Sequence, residues 1–280
     1  MDINGKVAWV TGGTTGMGFA TTKMLLEKGA KVMITSRRQE MGDKAIAELN
    51  AGDNCFYLCA DMMDHEALEK AVKTVMEKWG RLDILIANAG GGCGGYSWTV
   101  PMDLDMEAMQ RGEMKWSYST EGPGSLDIFS KDVYLNLIAN FDVARMSAWE
   151  MMKNEPDEIG QRGCIVFTSS ISATKRHDRG LTTGYASAKA GLLGLTKEMA
   201  VNLADAGIRV NSILPGYFQT EMMKSAPPSM LQPFIDAQIF PKVVGDPKYI
   251  GQMMIAVVEN DFVNNATIEV TAGFSAIPAP

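Results

Sequence analysis

The sequence predicts an α/β fold: a single doubly wound domain over residues 1–280, with a parallel sheet of about seven strands and helices on both faces. Three observations predict it. Short, β-branched apolar runs alternate with longer amphipathic stretches along the chain. The runs are continuously apolar rather than alternating, which marks strands buried on both faces. No repeat or low-complexity tract breaks the rhythm, and 46% hydrophobic with 21% charged residues is enough for one sizeable core.

Each element follows from its own residues. "KVAWVT" (6–11) is a strand, and "GFATTKMLLEKG" (18–29) is the helix after it. "KVMITS" (31–36) and "EMGDKAIAELN" (40–50) repeat the unit, as do "CFYLCA" (55–60) and "DHEALEKAVKTVMEKWG" (64–80). In the last of these, Leu68, Val72, Val75, Met76 and Trp79 share helical spacing. "LDILIANAG" (82–90) is a fourth strand, and "GCIVFTSS" (163–170), "IRVNSILPG" (208–216) and "TIEVTAG" (267–273) are later ones. Long helices are expected over 130–153 and 185–207. Residues 91–128 mix Gly, Met and Trp without a clean period, and a stretch this long is expected to be an ordered excursion over a pocket.

Composition excludes several function classes. A net charge of −7 argues against a nucleic-acid footprint. No apolar run approaches the roughly 18 residues of a membrane span, and the N-terminus lacks the pattern of a signal peptide. Only His65 and His177 are present, and "CFYLC" looks like a strand rather than a metal knuckle, so no metal site is expected. The four scattered cysteines fit reduced thiols and a cytoplasmic location.

Two motifs carry chemistry. "TGGTTGMG" (11–18) sets Gly12, Gly16 and Gly18 between a strand and a helix, where backbone amides and the helix N-terminus favour a pyrophosphate. A tight strand-to-helix turn uses glycine for steric reasons alone, so this motif is weak in isolation. "YASAK" puts Tyr185 and Lys189 four apart on one helical face. An ammonium about 4 Å from a phenolate, at an effective dielectric of ~20, is worth roughly 4 kcal/mol, enough to draw the phenol toward neutrality.

Taken in order, "TGGTTGMG", "NAG" (88–90), "SS" (169–170), "YASAK" and "LPGYFQT" (214–220) resemble the short-chain dehydrogenase/reductase family over nearly the whole chain. The resemblance implies a Rossmann fold and hydride transfer between a nicotinamide and a secondary alcohol or ketone. It implies that Tyr185 is the acid/base, that Lys189 lowers its pKa and binds the nicotinamide ribose, and that Ser170 rather than Ser169 orients the substrate oxygen. Asn136 would anchor a proton-relay water. It assigns Thr15 and Met17 with the glycines to the cofactor turn, Asp61 and Met62 to the adenine, and Asn88, Ala89 and Gly90 to the adenosine ribose. Pro215, Gly216, Phe218 and Thr220 would hold the nicotinamide carboxamide and phosphate. Bland roles compete: Asp61 as a helix cap, Pro215-Gly216 as a turn, Asn136 as a backbone partner.

"NEPDEIGQRGCIVFTSS" (154–170), "GIRVNSILPGYFQTEMM" (207–223) and "IFPKVVGDPKYIGQMMIAVVEN" (239–260) resemble the type 2 3-hydroxyacyl-CoA dehydrogenase branch, known also for 17β-hydroxysteroid oxidation with NAD. The chain departs from that pattern at points that face ligands. Asn88 and Asn136 lie 48 positions apart, which places a family-atypical insertion within 91–128. Tyr185 follows Ser170 by 15 positions, so 175–184 holds a longer loop, and "EVTAGF" replaces the usual ending. Where NAD enzymes of the family carry an acid, "ITSRRQE" carries Ser36, Arg37 and Arg38, which suits a 2′-phosphate and NADP(H) over NAD(H).

The expected function is an NADP(H)-dependent oxidoreductase for a hydrophobic secondary alcohol or ketone, steroid-like or a 3-hydroxyacyl thioester. A small polyol, sugar or diketone substrate and a non-catalytic cofactor-binding regulator are the alternatives. The resemblance implies a homodimer or homotetramer through the helices at 130–153 and 185–206. Trp149 and the methionines there read equally as core. Lys175, Arg176 and Arg179 are candidates for a patch that would meet CoA phosphates.

Overall fold

The computed structural model describes residues 1–92, 102–105, 107, 116–118, 122–175, 182–220 and 228–275. Seven parallel strands form the sheet in the order β3-β2-β1-β4-β7-β8-β9. They are β1 Val7–Thr11, β2 Lys31–Ser36, β3 Cys55–Cys59, β4 Ile84–Ala87, β7 Gly163–Thr168, β8 Ile208–Pro215 and β9 Thr267–Val270. Two short strands inside the 91–128 segment, β5 Met102–Leu104 and β6 Trp116–Tyr118, pair antiparallel. The rest of that excursion, and its expected place over a pocket, lies largely outside the described residues.

The helices are α1 Gly16–Glu27, α2 Gln39–Leu49, α3 His65–Trp79, α4 Leu126–Val133, α5 Ala139–Met151, α6 Thr183–Asn202, α7 Pro228–Asp236 and α8 Lys248–Glu259. Helix α3 shows how sequence becomes packing. Asp64 caps its start by accepting from the Ala67 N–H, and Gly80 ends it in the left-handed region at φ +75°. Leu68, Ala71, Val72 and Val75 fall on one face and are buried, while Met76 and Trp79 are partly buried beside them.

Buried residues form one apolar cluster on each face of the sheet. One holds Trp9, Leu85 and Phe167 under α3, α5 and α6, and the other holds Val10, Ile34 and Ile86 under α1 and α8. Trp149 does not join the core. It is 64% exposed on α5, whereas Met151 on the same helix is fully buried.

Arg209 on β8 is buried and ties the outer helix to the sheet. Its guanidinium donates to the carbonyls of Val257 (2.9 Å), Val258 (2.7 Å) and Val263 (2.7 Å) and to Gln161 Oε1. The first two are carbonyls at the C-terminal end of α8, where a cation is favourable. Arg209→Met leaves these acceptors dry and unpaired. It is expected to cost about 3–5 kcal/mol, read as a lower denaturant midpoint with unchanged slope.

Candidate active site

The sheet order reverses between β1 and β4, the point at which doubly wound sheets form a ligand crevice beyond the carboxyl ends of their strands. The turn after β1 lies at that point. Gly12 and Gly16 take φ of +66° and +55°, the left-handed region. A Cβ on Gly12 would sit 3.0 Å from Asn88 Nδ2 and 3.1 Å from Ala89 Cα, and one on Gly18 would collide with the Gly12 carbonyl. Backbone thus meets backbone, and α1 starts at Thr15 without a side-chain cap, which leaves its first amides for an anion. Met17 is partly buried behind it.

Thr11, at the head of the glycine motif, joins the site, as do Thr168 and Asn140, which no motif announces. Thr11 Oγ1 accepts from the N–H groups of Asn88 and Ala89, both at 3.0 Å. Thr168 Oγ1 donates to Asn88 Oδ1 at 3.4 Å, and the Asn140 amide donates to the Ala89 and Leu135 carbonyls. Asn88 itself donates to the carbonyls of Thr11 and Gly12, so it cross-links the strand ends. Only the position of Thr168 at a strand end could have suggested its part.

On the β2 side of the glycine turn, Ser36 ends β2 and pairs in register with Cys59 at the end of β3. Arg37 and Arg38 are exposed just beyond it, and Arg38 is the N-cap of α2 without supplying a side-chain cap. Met62 is buried, and Asp61 is exposed with Oδ1 accepting from the Met63 N–H at 2.9 Å. That bond makes Asp61 a turn-former, while Asp64 is the helix cap.

Across the crevice, Gly216 donates its N–H to the Val270 carbonyl, after Pro215 closes β8. Thr220 reaches back over the glycine turn: its Cγ2 would lie 3.8 Å from a Cβ on Gly16. Phe218 behaves differently from its neighbours. Its ring is buried in the α1–α8 cluster against Gly245, so it holds the loop down by packing.

The remaining side chains gather at the ends of β4 and β7. A π-turn, Tyr134–Ile138, joins α4 to α5 and carries Asn136, fully buried. Asn136 Nδ2 donates to the Gly91 carbonyl (2.9 Å) and the Asp132 carbonyl (3.0 Å), and its Oδ1 accepts from the Gly91 N–H (2.8 Å). A Cβ on Gly90 would meet Asn136 Oδ1 at 2.6 Å and Lys189 Nζ at 3.0 Å. Those two polar groups therefore stand together against a bare backbone.

Ser169 and Ser170 divide cleanly. Ser169 is buried and donates to the Lys189 carbonyl at 2.8 Å. Ser170 Oγ lies 2.9 Å from Ser172 Oγ, accepts from the Ser172 N–H, and hydrogen-bonds the Tyr185 phenol.

Tyr185 and Lys189 share a face of α6, with Nζ 5.6 Å from the ring centroid. Lys189 is buried and donates to the Thr168 carbonyl at 2.7 Å. Here the spacing argument needs correction. Burial pushes Lys189 down to about 7 and pushes Tyr185 up, opposed by the Ser170 hydrogen bond and reinforced by the Asp132 carboxylate. Desolvation outweighs the attraction that helical spacing alone implied. Lys175 is also spoken for, donating to Glu269 (2.5 Å) and the Phe274 carbonyl (2.9 Å), so it does not offer a free cation to CoA. Arg176 and Arg179 lie outside the described residues.

A family model for the short chain dehydrogenases matches residues 6–230. The protein belongs to that family. This short-chain dehydrogenase is 30% identical to human 3-hydroxyacyl-CoA dehydrogenase type-2, over 99% of its own length and 97% of the relative's. It is also 30% identical to the 3-oxoacyl-[acyl-carrier-protein] reductase FabG of Vibrio cholerae, over 99% and 100% of the two chains. Its fold matches a crystal structure of 3-hydroxyacyl-CoA dehydrogenase type-2 from Mycobacterium avium with a TM-score of 0.85 at 29% identity, covering 97% and 96% of the chains. It is an oxidoreductase with the seven-stranded parallel sheet of a Rossmann-type domain. Among the described residues, no helix is long and apolar enough to cross a membrane.

Proposed function

We propose that this short-chain dehydrogenase interconverts a secondary alcohol and a ketone with NADP(H), on a hydrophobic substrate such as a 3-hydroxyacyl thioester or a steroid-like alcohol. The observation that carries the reaction is the Tyr185 phenol bonded to the Ser170 hydroxyl, with buried Lys189 on the next helical turn. The glycine turn supports a dinucleotide, because Gly12 and Gly18 let it pack backbone against backbone at the start of α1. Residues 12–18 and Thr220 would hold the pyrophosphate, Asn88 to Gly90 would line the adenosine ribose, and Pro215 and Gly216 would hold the nicotinamide half. When bound, the nicotinamide supplies or accepts the hydride.

In reduction, Ser170 Oγ hydrogen-bonds the ketone oxygen and the Tyr185 O–H donates its proton to that oxygen. In oxidation the phenolate takes the proton back. Lys189 Nζ, which changes charge near neutrality, restores the proton on Tyr185, and Asn136 stands beside it to order a relay water. The names of the relatives, a 3-hydroxyacyl-CoA dehydrogenase and a 3-oxoacyl-[acyl-carrier-protein] reductase, support a thioester. Exposed Ile138, Phe141, Trp149 and Met152 on the helical segment 134–152, with Val201 on α6, support a homodimer or homotetramer. The free Cys55, Cys59 and Cys164 suit a cytoplasmic protein.

Ser36, Arg37 and Arg38 support the choice of NADP(H). A carboxylate at the end of β2 would bind both ribose hydroxyls and repel a 2′-phosphate, whereas a guanidinium binds that phosphate through paired donors. Arg37→Ala is expected to raise KM for NADPH about tenfold or more. Ser36→Asp is expected to lower the NADPH/NADH ratio of kcat/KM about a hundredfold. Steady-state rates with both nucleotides, over 3-ketoacyl thioesters and steroid ketones, test the reading. Equal use of the two nucleotides by the wild type would sink it.

A further inference from the structure

We infer that Tyr57 is a positioning residue that sets cofactor specificity by holding the β2–α2 corner in the shape that receives a 2′-phosphate. The inference rests on the NADP(H) reading above and names a residue outside every nucleotide-binding motif. Tyr57 lies on β3, opposite Ile34 of β2 and two positions before Cys59, the partner of Ser36. From there its phenol reaches along the strand pair and donates to the Ser36 carbonyl at 2.9 Å. Ser36 Oγ lies 3.4 Å from the same phenol oxygen. The Ala60 N–H also donates to the Ser36 carbonyl, at 3.0 Å, so both of its lone pairs are used.

The ring is held at the far side of the corner as well. A Cβ on Gly42 would collide with Cδ1, Cε1 and Cγ of Tyr57, so the ring lies against the backbone of α2. One side chain therefore braces the last residue of β2 and the second turn of α2, and Arg37 and Arg38 are strung between these two points. Long arginine side chains on a loose turn would lose more freedom on meeting a phosphate, and a braced turn reduces that loss. The brace also carries no negative charge: burial, with smaller effects from neighbouring groups, pushes the phenol up to about 12, so it remains a donor beside an anion.

On the NADP(H) reading Ser36 and the arginines would meet the 2′-phosphate, where NADPH and NADH differ, and that sets Tyr57 apart from a general adenosine wall. Tyr57→Phe keeps the ring on Gly42 and deletes the hydroxyl, with its donation to the Ser36 carbonyl and its contact with Ser36 Oγ. It is expected to raise KM for NADPH about five- to tenfold while KM for NADH and kcat with either nucleotide stay within about twofold. Gly42→Ala, which must push the ring off the helix, is expected to give the same selective loss. Direct titration of the intact protein with 2′,5′-ADP and 5′-AMP supplies a readout independent of turnover, and only the 2′,5′-ADP affinity should fall.

Equal weakening of NADPH and NADH in Tyr57→Phe, or no change in either, would overturn the inference. The parent reading fails separately, if the wild type does not favour NADPH or if Arg37→Ala leaves KM for NADPH unchanged; the role of Tyr57 then falls with it. If the wild type and Arg37→Ala behave as expected and Tyr57→Phe behaves as wild type, only Tyr57 loses its part.

Discussion

Tyr185→Phe is expected to lower kcat about 10³-fold while leaving the affinity for NADPH within about twofold. Phenylalanine keeps the ring on α6 beside Lys189 and removes the O–H that would give its proton to the substrate oxygen. Ser170 retains its bonds with Ser172, so the fold around it is undisturbed. The pH dependence follows from the direction of the Tyr185 shift. Burial raises the phenol above its ordinary value, the Ser170 hydrogen bond opposes this and Asp132 adds to it. A raised pKa keeps the proton in place through neutrality. Ketone reduction should therefore be flat across neutral pH and fall only in the alkaline range, while alcohol oxidation should climb with pH throughout. Pre-steady-state hydride transfer in both directions checks this. A Tyr185→Phe variant that transfers hydride at the wild-type rate would remove Tyr185 from the chemistry.

The sheet was legible because its strands are apolar without alternation, and a strand such as "ILIA" can only be buried on both faces. Helix α3 was legible from period and caps together. The three-residue strands β5 and β6 were not, since segments that short have no readable period. At the site, residue spacing announced Tyr185 and Lys189 but could not give the sign of the phenol's shift, because burial is a property of the assembled fold. Asn136 needed the family resemblance: nothing in "VYLNLIANF" indicates a π-turn that aims an amide at Gly91. Tyr57 was invisible for a related reason. Its contact with Ser36 depends on the register of β2 against β3, and its contact with α2 depends on a glycine 15 positions upstream. Sequence proximity carries neither.

Lys189→Met is expected to abolish turnover and to make the protein more stable at neutral pH. Lys189 is buried, its ammonium has one described protein acceptor, the Thr168 carbonyl, and its pKa is lowered to about 7 by burial. In the unfolded chain a lysine titrates near ~10.4. The folded value lies below the unfolded one, so between about 7 and ~10.4 the unfolded chain holds a proton that the folded protein releases, and stability rises with pH through that window. Below it the full cost of burying the charge is felt, on the order of 5 kcal/mol. Methionine fills similar volume without that cost, but it leaves the Thr168 carbonyl unpaired, which returns about 1–3 kcal/mol of the gain. The net expectation is a gain of about 2 kcal/mol at pH ~7, a rise of several degrees in Tm, which reverses to a loss of about 1–3 kcal/mol as pH approaches ~10, where only the unpaired carbonyl remains. Denaturant melts of wild type and variant at both ends of that range decide the matter. A gain independent of pH would mean that packing, and not a buried charge retained for catalysis, sets the stability of this helix.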